Sequence, residues 1–147
     1  EGITTVAEAQ IFPGEEGIVF KSQVLYPAMG VQGDPEREER IDTLFGKLRA
    51  VAGNAAILRH EQGATEAEVI DYLQKWELTP KERAERRFRF LDDPLWRPYI
   101  FTYFAGRDLV LDSIGNGPRA EQLERFRYCL TEQITPSWLR ANTRANR

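Results

Sequence analysis

Of 147 residues, one is cysteine, one is histidine and one is methionine. The lone thiol, Cys129, closes no internal disulfide and builds no cysteine-rich metal site; it fits a reducing compartment. The lone imidazole, His60, makes no two-histidine zinc site by itself, and Glu61 is not followed by a second histidine three residues on, so the His-Glu-x-x-His helix motif is missing. No apolar run approaches the ~18 residues a membrane span needs, and the basic-then-apolar order of a signal peptide is lacking at the amino terminus. A chain free of membrane, and cytoplasmic, is the expectation. Positive excess is missing as well: 20 Lys plus Arg stand against 23 Asp plus Glu, a net charge of −3, which removes the global field of a nucleic-acid binder. The one dense basic run, Lys81 to Arg89, is interleaved with acids and reads as a solvated helix face. There is no internal repeat, and no alternation long enough for a strand.

What remains is a helical period with explicit punctuation. A first helix runs to about Phe12 and stops at Pro13-Gly14; a second covers roughly Glu15 to Tyr26, ahead of Pro27. Asp34-Pro35-Glu36 supplies a cap, a proline at the first helical position and first-turn acid for a long helix ending near Gly63. Ile41, Leu44, Phe45, Leu48, Val51, Ala52, Ala55 and Leu58 carry the spacing of a buried stripe, and Gly46, Ala50 and Gly53 form a small-residue face that admits a neighbouring helix. Thr65 with Glu68, and Thr79 with Glu82, read as capping boxes for helices near 66–76 and 80–91. Asp93-Pro94 opens a helix apolar nearly all round, from Leu95 to Ile114, which predicts burial. Gly115-Asn116-Gly117-Pro118 breaks it; Leu123, Phe126 and Leu130 mark another helix, and Thr135-Pro136 begins a last one. At this length one domain is the natural expectation. The fold expected is all-α, a bundle of about six to eight helices around a long central helix.

Chemistry-capable residues are few. On a helix, Glu1 and Glu8 fall two near-complete turns apart on one face, where two carboxylates serve a metal or a proton transfer, or simply answer the helix dipole. His60 at a helix C-terminus reads alone as a capping imidazole. Tyr99, Tyr103 and Arg107 follow one another by single turns, and a guanidinium in so apolar a helix requires an acid, an anion or water. Trp76, Trp96 and Trp138 read as packing residues, and Cys129 has no neighbouring base to activate it.

Four segments, in order, resemble a family. The opening Glu1-Gly2-Ile3-Thr4-Thr5-Val6-Ala7-Glu8 looks like the Glu-Gly-Trp-Ala-Leu-Tyr-x-Glu segment of helical, gluzincin-type bacterial metallopeptidase-like proteins, many of them grouped as a domain of unknown function. Ala56 to His60, with Gly63 and Thr65 to Leu73, is similar to that family's Gly-Ile-His, Gly-Trp-Ser and Ala-Ile-x-Tyr stretch. Arg89-Phe90-Leu91-Asp92-Asp93-Pro94 looks like its Arg-Tyr-x-x-x-Pro step, and Tyr103-Phe104-Ala105-Gly106-Arg107 resembles its Tyr-Lys-Ile-Gly-Lys. The resemblance implies that Glu1 completes a zinc site and Glu8 stands behind it. It also implies that His60 and Tyr103 face the cleft to hold a carbonyl or oxyanion, with Arg107 where the family has lysine. Ile3 and Thr4 replace Trp-Ala, and the step from Pro94 to Tyr103 is longer than the family's by about one helical turn.

The family's His-Glu-x-x-His lies upstream of its Glu-Gly segment and is absent here. The resemblance therefore implies that this chain is the C-terminal portion of a longer protein and is inactive alone. Zinc and a peptide substrate are expected only in the intact parent, whose upstream half is the missing partner. The rival reading is a self-contained all-α module without catalysis, with Tyr99, Tyr103 and Arg107 lining a ligand pocket or with apolar faces pairing two copies as a homodimer.

Overall fold

The computed structural model describes residues 1–143, and all regular structure among them is helical. In chain order the α-helices are α1 (Thr4–Ile11), α2 (Glu16–Phe20), α3 (Tyr26–Met29), α4 (Pro35–Gly46), α5 (Ala50–His60), α6 (Glu66–Trp76), α7 (Lys81–Asp92), α8 (Ile100–Ile114), α9 (Arg119–Thr131) and α10 (Pro136–Ala141). A π turn, Lys21–Leu25, joins α2 to α3, and a 3₁₀ turn, Arg97–Tyr99, leads into α8. No helix is long and apolar enough to cross a membrane among the described residues. Packing groups them into two units, residues 1–40 with 105–143, and residues 41–104.

The expected long helix is present as a bent one, α4 followed by α5. Lys47 to Arg49 tighten into i→i+3 bonds (Lys47 N–H to Leu44 O, 3.1 Å; Leu48 N–H to Phe45 O, 2.9 Å), which turn the axis without ending the spiral. Asp34 caps it through the Arg37 amide at 2.9 Å. Gly63, at φ +70°, closes it by letting the Ala64 amide reach Leu58 O at 3.0 Å. The second helix passes Pro27, where the sequence predicted a stop. Proline has no N–H to give, and the π turn just before it widens the ladder so that the Tyr26 amide reaches back to Lys21 O.

The core of residues 41–104 is a layer of α5, α6 and α7. Ala52, Ala55 and Ala56 meet Val69, Ile70 and Leu73, and Ala84, Phe88 and Leu91, with Ile100 closing the end. Each set repeats at three- and four-residue steps, the spacing of one helix face. Small α5 side chains let bulkier neighbours approach, and at Gly53 an added Cβ would lie 2.5 Å from the Phe104 ring. Thr65 and Glu68 form the expected reciprocal capping box. The second box does not form. Pro80 takes the cap position of α7 with extended backbone, so Thr79 is displaced one residue outward, buried, and its hydroxyl has no partner. Beside it Leu78 adopts φ +54°, and Arg87 binds Glu77 at 2.9 Å across the α6–α7 turn.

The core of the other unit gathers Val6 of α1, Val110 and Ile114 of α8, Phe126 and Cys129 of α9, and Leu139 of α10. Arg119 opens α9 and donates to Gln10, both to its side-chain oxygen (3.2 Å) and to its carbonyl, which ties the start of α9 to the end of α1. Thr135 caps α10 through the Trp138 amide at 3.1 Å.

Three burial expectations are corrected. Ile41, Leu44 and Phe45 of α4 are exposed, and from Ile11 to Val51 no residue is buried, because no described element covers that apolar face. Leu95, Trp96 and Tyr103 are exposed although their segment is apolar all round; Pro98 and the 3₁₀ turn split it, so only Ile100, Val110, Ser113 and Ile114 are buried. Trp76 is 51% exposed, with the Lys75 ammonium 4.8 Å from its ring, so it is a surface platform and not a packing residue.

Candidate functional site

Residues 41–104 hold His60 and Tyr103. His60 ends α5, and its Nε2 lies 2.8 Å from the Leu91 carbonyl. A carbonyl only accepts, so Nε2 carries the hydrogen and donates, satisfying one of the orphan oxygens in the last turn of α7. The preceding residue works on the same helix end. Arg59 Nε donates to Asp92 at 2.7 Å and Nη1 to the Ala64 carbonyl at 3.0 Å, while its guanidinium lies over the Phe88 ring. The Arg59 hydrogen bond holds the Asp92 carboxyl below the usual range, outweighing what burial does in the other direction.

Two of the sequence segments singled out above, Ala56–His60 and Arg89–Pro94, are thus pinned together by two adjacent side chains. Next to the pin is an open cavity of about 410 Å³, lined by Ala56, Ile57, His60, Glu61, Arg97, Pro98 and Phe101. Tyr103 is not among the lining residues; it continues an aromatic ladder, edge-on to Tyr99 at 5.8 Å, with Tyr99 edge-on to Trp96 at 5.7 Å.

The pin sets an acid limit. A carboxyl whose folded pKa is depressed stabilises the fold above its unfolded value near ~4, and that stabilisation is lost as pH falls through the folded value. Asp92→Asn is therefore expected to destabilise the unit above about pH 5 and to converge on the parent chain in stronger acid. Hydrogen exchange of the α7 amides at a series of pH values reads the difference, and a gap that widens on acidification would be the wrong sign.

Residues 1–40 with 105–143 hold Glu1, Glu8 and Arg107. Glu1 sits in the turn ahead of α1, its carbonyl accepting from the Thr5 amide at 3.1 Å and from Thr4 Oγ1 at 2.7 Å. Glu8, on α1, is paired with Lys21 Nζ at 3.1 Å, which directs that carboxylate to the π turn. Arg107 is largely buried, 3.7 Å from the Asp108 carboxylate. Gly2 is buried against the backbone of α8: a Cβ there would stand 2.4 Å from the Gly106 carbonyl carbon and 2.8 Å from the Arg107 nitrogen. The opening Glu-Gly step and the Gly106-Arg107 step, more than a hundred residues apart in sequence, are in contact.

Cys129 lies in the core of this unit, and burial pushes its thiol above the ordinary value, the opposite of activation. Among the described residues no three His, Cys, Asp or Glu side chains are placed to hold a metal ion. Arg59, Asp92 and Arg97 had not stood out in the sequence. The signal available for Arg59 was its place beside the only histidine, but its partner 33 residues away leaves no local trace. Comparison with family models, with curated proteins and with solved structures finds no match to this chain.

Proposed function

We propose that this chain is a helical portion of a zinc metallopeptidase-like protein, inactive by itself, whose His-Glu-x-x-His segment lies elsewhere in the parent. The observation that carries the reading is the contact of Gly2 with Gly106 and Arg107. Two segments that resemble one family's motifs, from opposite ends of the match, meet backbone to backbone at a spacing only glycine permits. The pinning of His60 and Arg59 to Leu91 and Asp92 gives the same support from the two middle segments.

The residues present do not make a zinc site on their own. Glu1 is one carboxylate where a catalytic ion needs about three protein ligands, and Glu8 is engaged by Lys21. No hydrolytic step is assigned to this chain. Its own residues supply Glu1 as a single donor, the Arg107 charge beside the Gly2 contact, and, in the other unit, His60 and Tyr103 as polar groups toward a peptide. The apolar side chains left uncovered at Val19, Val24, Leu44 and Phe45 are consistent with further chain packing on them.

The test begins with the coding DNA ahead of the Glu1 codon. An in-frame His-Glu-x-x-His is expected there, and a reading frame that closes without one overturns the proposal. In the protein expressed from the full frame, Glu1→Gln is expected to lower zinc affinity by at least about 10- to 100-fold, the scale for losing even a residue that supports a ligand, measured by competition with a chelating dye. Unchanged zinc affinity would remove Glu1 from the site.

A further inference from the structure

An open groove of about 630 Å³ lies in the unit formed by residues 1–40 and 105–143, away from every residue the function above employs. Its size is that of sites for small organic ligands. One wall is α9, which presents Glu121, Glu124, Arg125 and Tyr128 at successive turns; the others are Ser113 at the end of α8, Trp138 of α10 and Asn142 just after it, whose Nδ2 donates to the Trp138 carbonyl at 2.9 Å.

The groove is negative despite its arginine. Arg125 is spent on the helix end: Nη1 donates to the carbonyls of Ile114 (3.0 Å) and Ser113 (3.4 Å), and Nη2 lies 3.4 Å from Glu121. With that cation engaged, Glu124 is left as an exposed carboxylate with no ion pair or hydrogen bond among the described residues. One turn along α9 from it, Tyr128 stacks with Trp138 at 5.0 Å with 16° between their planes, an aromatic pair among the groove's lining residues. Ser113, 5% exposed, also lines the groove.

A carboxylate beside an aromatic pair points to one ligand chemistry. A planar organic cation stacks on the rings and pairs with the carboxylate; an anion would meet Glu121 and Glu124, and an apolar ligand would draw nothing from Glu124. We infer that this groove binds a guanidinium group, as carried by an arginine side chain of a peptide or protein.

The experiment uses the whole chain and two small probes, N-acetyl-arginine amide and N-acetyl-citrulline amide, which share shape and differ in charge. Titration is followed at the Trp138 indole N–H by NMR. The arginine probe is expected to saturate with a Kd of about 1 mM, the scale for a ligand of its size, and the citrulline probe to bind at least about tenfold more weakly, having lost both charge pairing and cation–π attraction. Glu124→Gln, at an exposed position that carries no packing, is expected to weaken the arginine probe about fivefold, while Glu132→Gln beyond the groove leaves it unchanged. Raising the salt concentration should weaken binding in the parent and less so in Glu124→Gln. Equal affinity for the two probes, no perturbation of Trp138 by either, or equal weakening by both substitutions would each overturn the assignment.

Discussion

Leu91→Ala is expected to destabilise residues 41–104 by about 2–5 kcal/mol, the range for truncating a fully enclosed leucine. Leu91 is 0% exposed and lies in one cluster with Ala52, Ala55, Leu73 and Phe88, so its loss leaves a cavity. The small α5 side chains cannot reach in to fill it, which places the effect toward the upper part of that range. A loss of that size rivals the whole stability of a small domain, about 5–15 kcal/mol. Leu95→Ala, four residues along at a site 73% exposed, is expected to stay within about 0.5 kcal/mol. Hydrogen exchange of the Val69 and Leu73 amides gives the comparison directly. Because His60 is held by the Leu91 backbone carbonyl and not by its side chain, the imidazole contact should persist in whatever fraction remains folded. Equal, small effects at the two leucines would mean that α7 does not pack on α5 and α6 as described.

The second large effect is expected at Gly2→Ala. The added Cβ would lie 2.4, 2.6 and 2.8 Å from the Gly106 carbonyl carbon, its oxygen and the Arg107 nitrogen. These are backbone atoms inside α8 and have no rotamer by which to retreat, unlike the Phe104 ring that faces Gly53. The first residues must move instead, at about 1–3 kcal/mol for overpacking of this kind, and Glu1 moves with them. The measurement is the pattern of amide shifts at residues 105–108 together with the stability of the unit that contains them. Gly14→Ala is the control: nothing lies within 4 Å, so it carries only the conformational penalty of φ +58°. An alanine at position 2 that left those amides and the stability unmoved would remove the contact, and with it the main support for the function proposed.

Helix placement was legible in the sequence because its determinants are local. Asp34-Pro35, Thr65 with Glu68, Gly63 and Thr135-Pro136 act within four residues of themselves, and each does what its chemistry predicts. Thr79 with Glu82 failed for an equally local reason, the proline between them, which the pattern contained but the spacing rule ignored. Burial was less legible, since periodicity says which side of a helix is apolar but not whether anything lies against it. On α6 the apolar side is covered; on α4 the same pattern at Ile41, Leu44 and Phe45 is open. The site was legible only as residues. That His60 would donate to Leu91, that Arg59 would reach Asp92, and that Gly2 would meet Gly106 depend on pairings across 31, 33 and 104 positions, for which one sequence carries no signal.

The absence of any buried residue from Ile11 to Val51 has a consequence for cooperativity. Apart from side-chain links such as Lys21 to Glu8, Tyr26 to Glu38 and the Phe12–Phe20 stack, α2, α3 and α4 rest on bonds made within their own turns, so opening one removes no buried side chain from either core. Denaturant acts in proportion to the surface that opens, and a segment whose opening uncovers little answers it with a shallow slope, while each core answers with a steep one. The chain is therefore expected to unfold as a composite of transitions that no single midpoint describes.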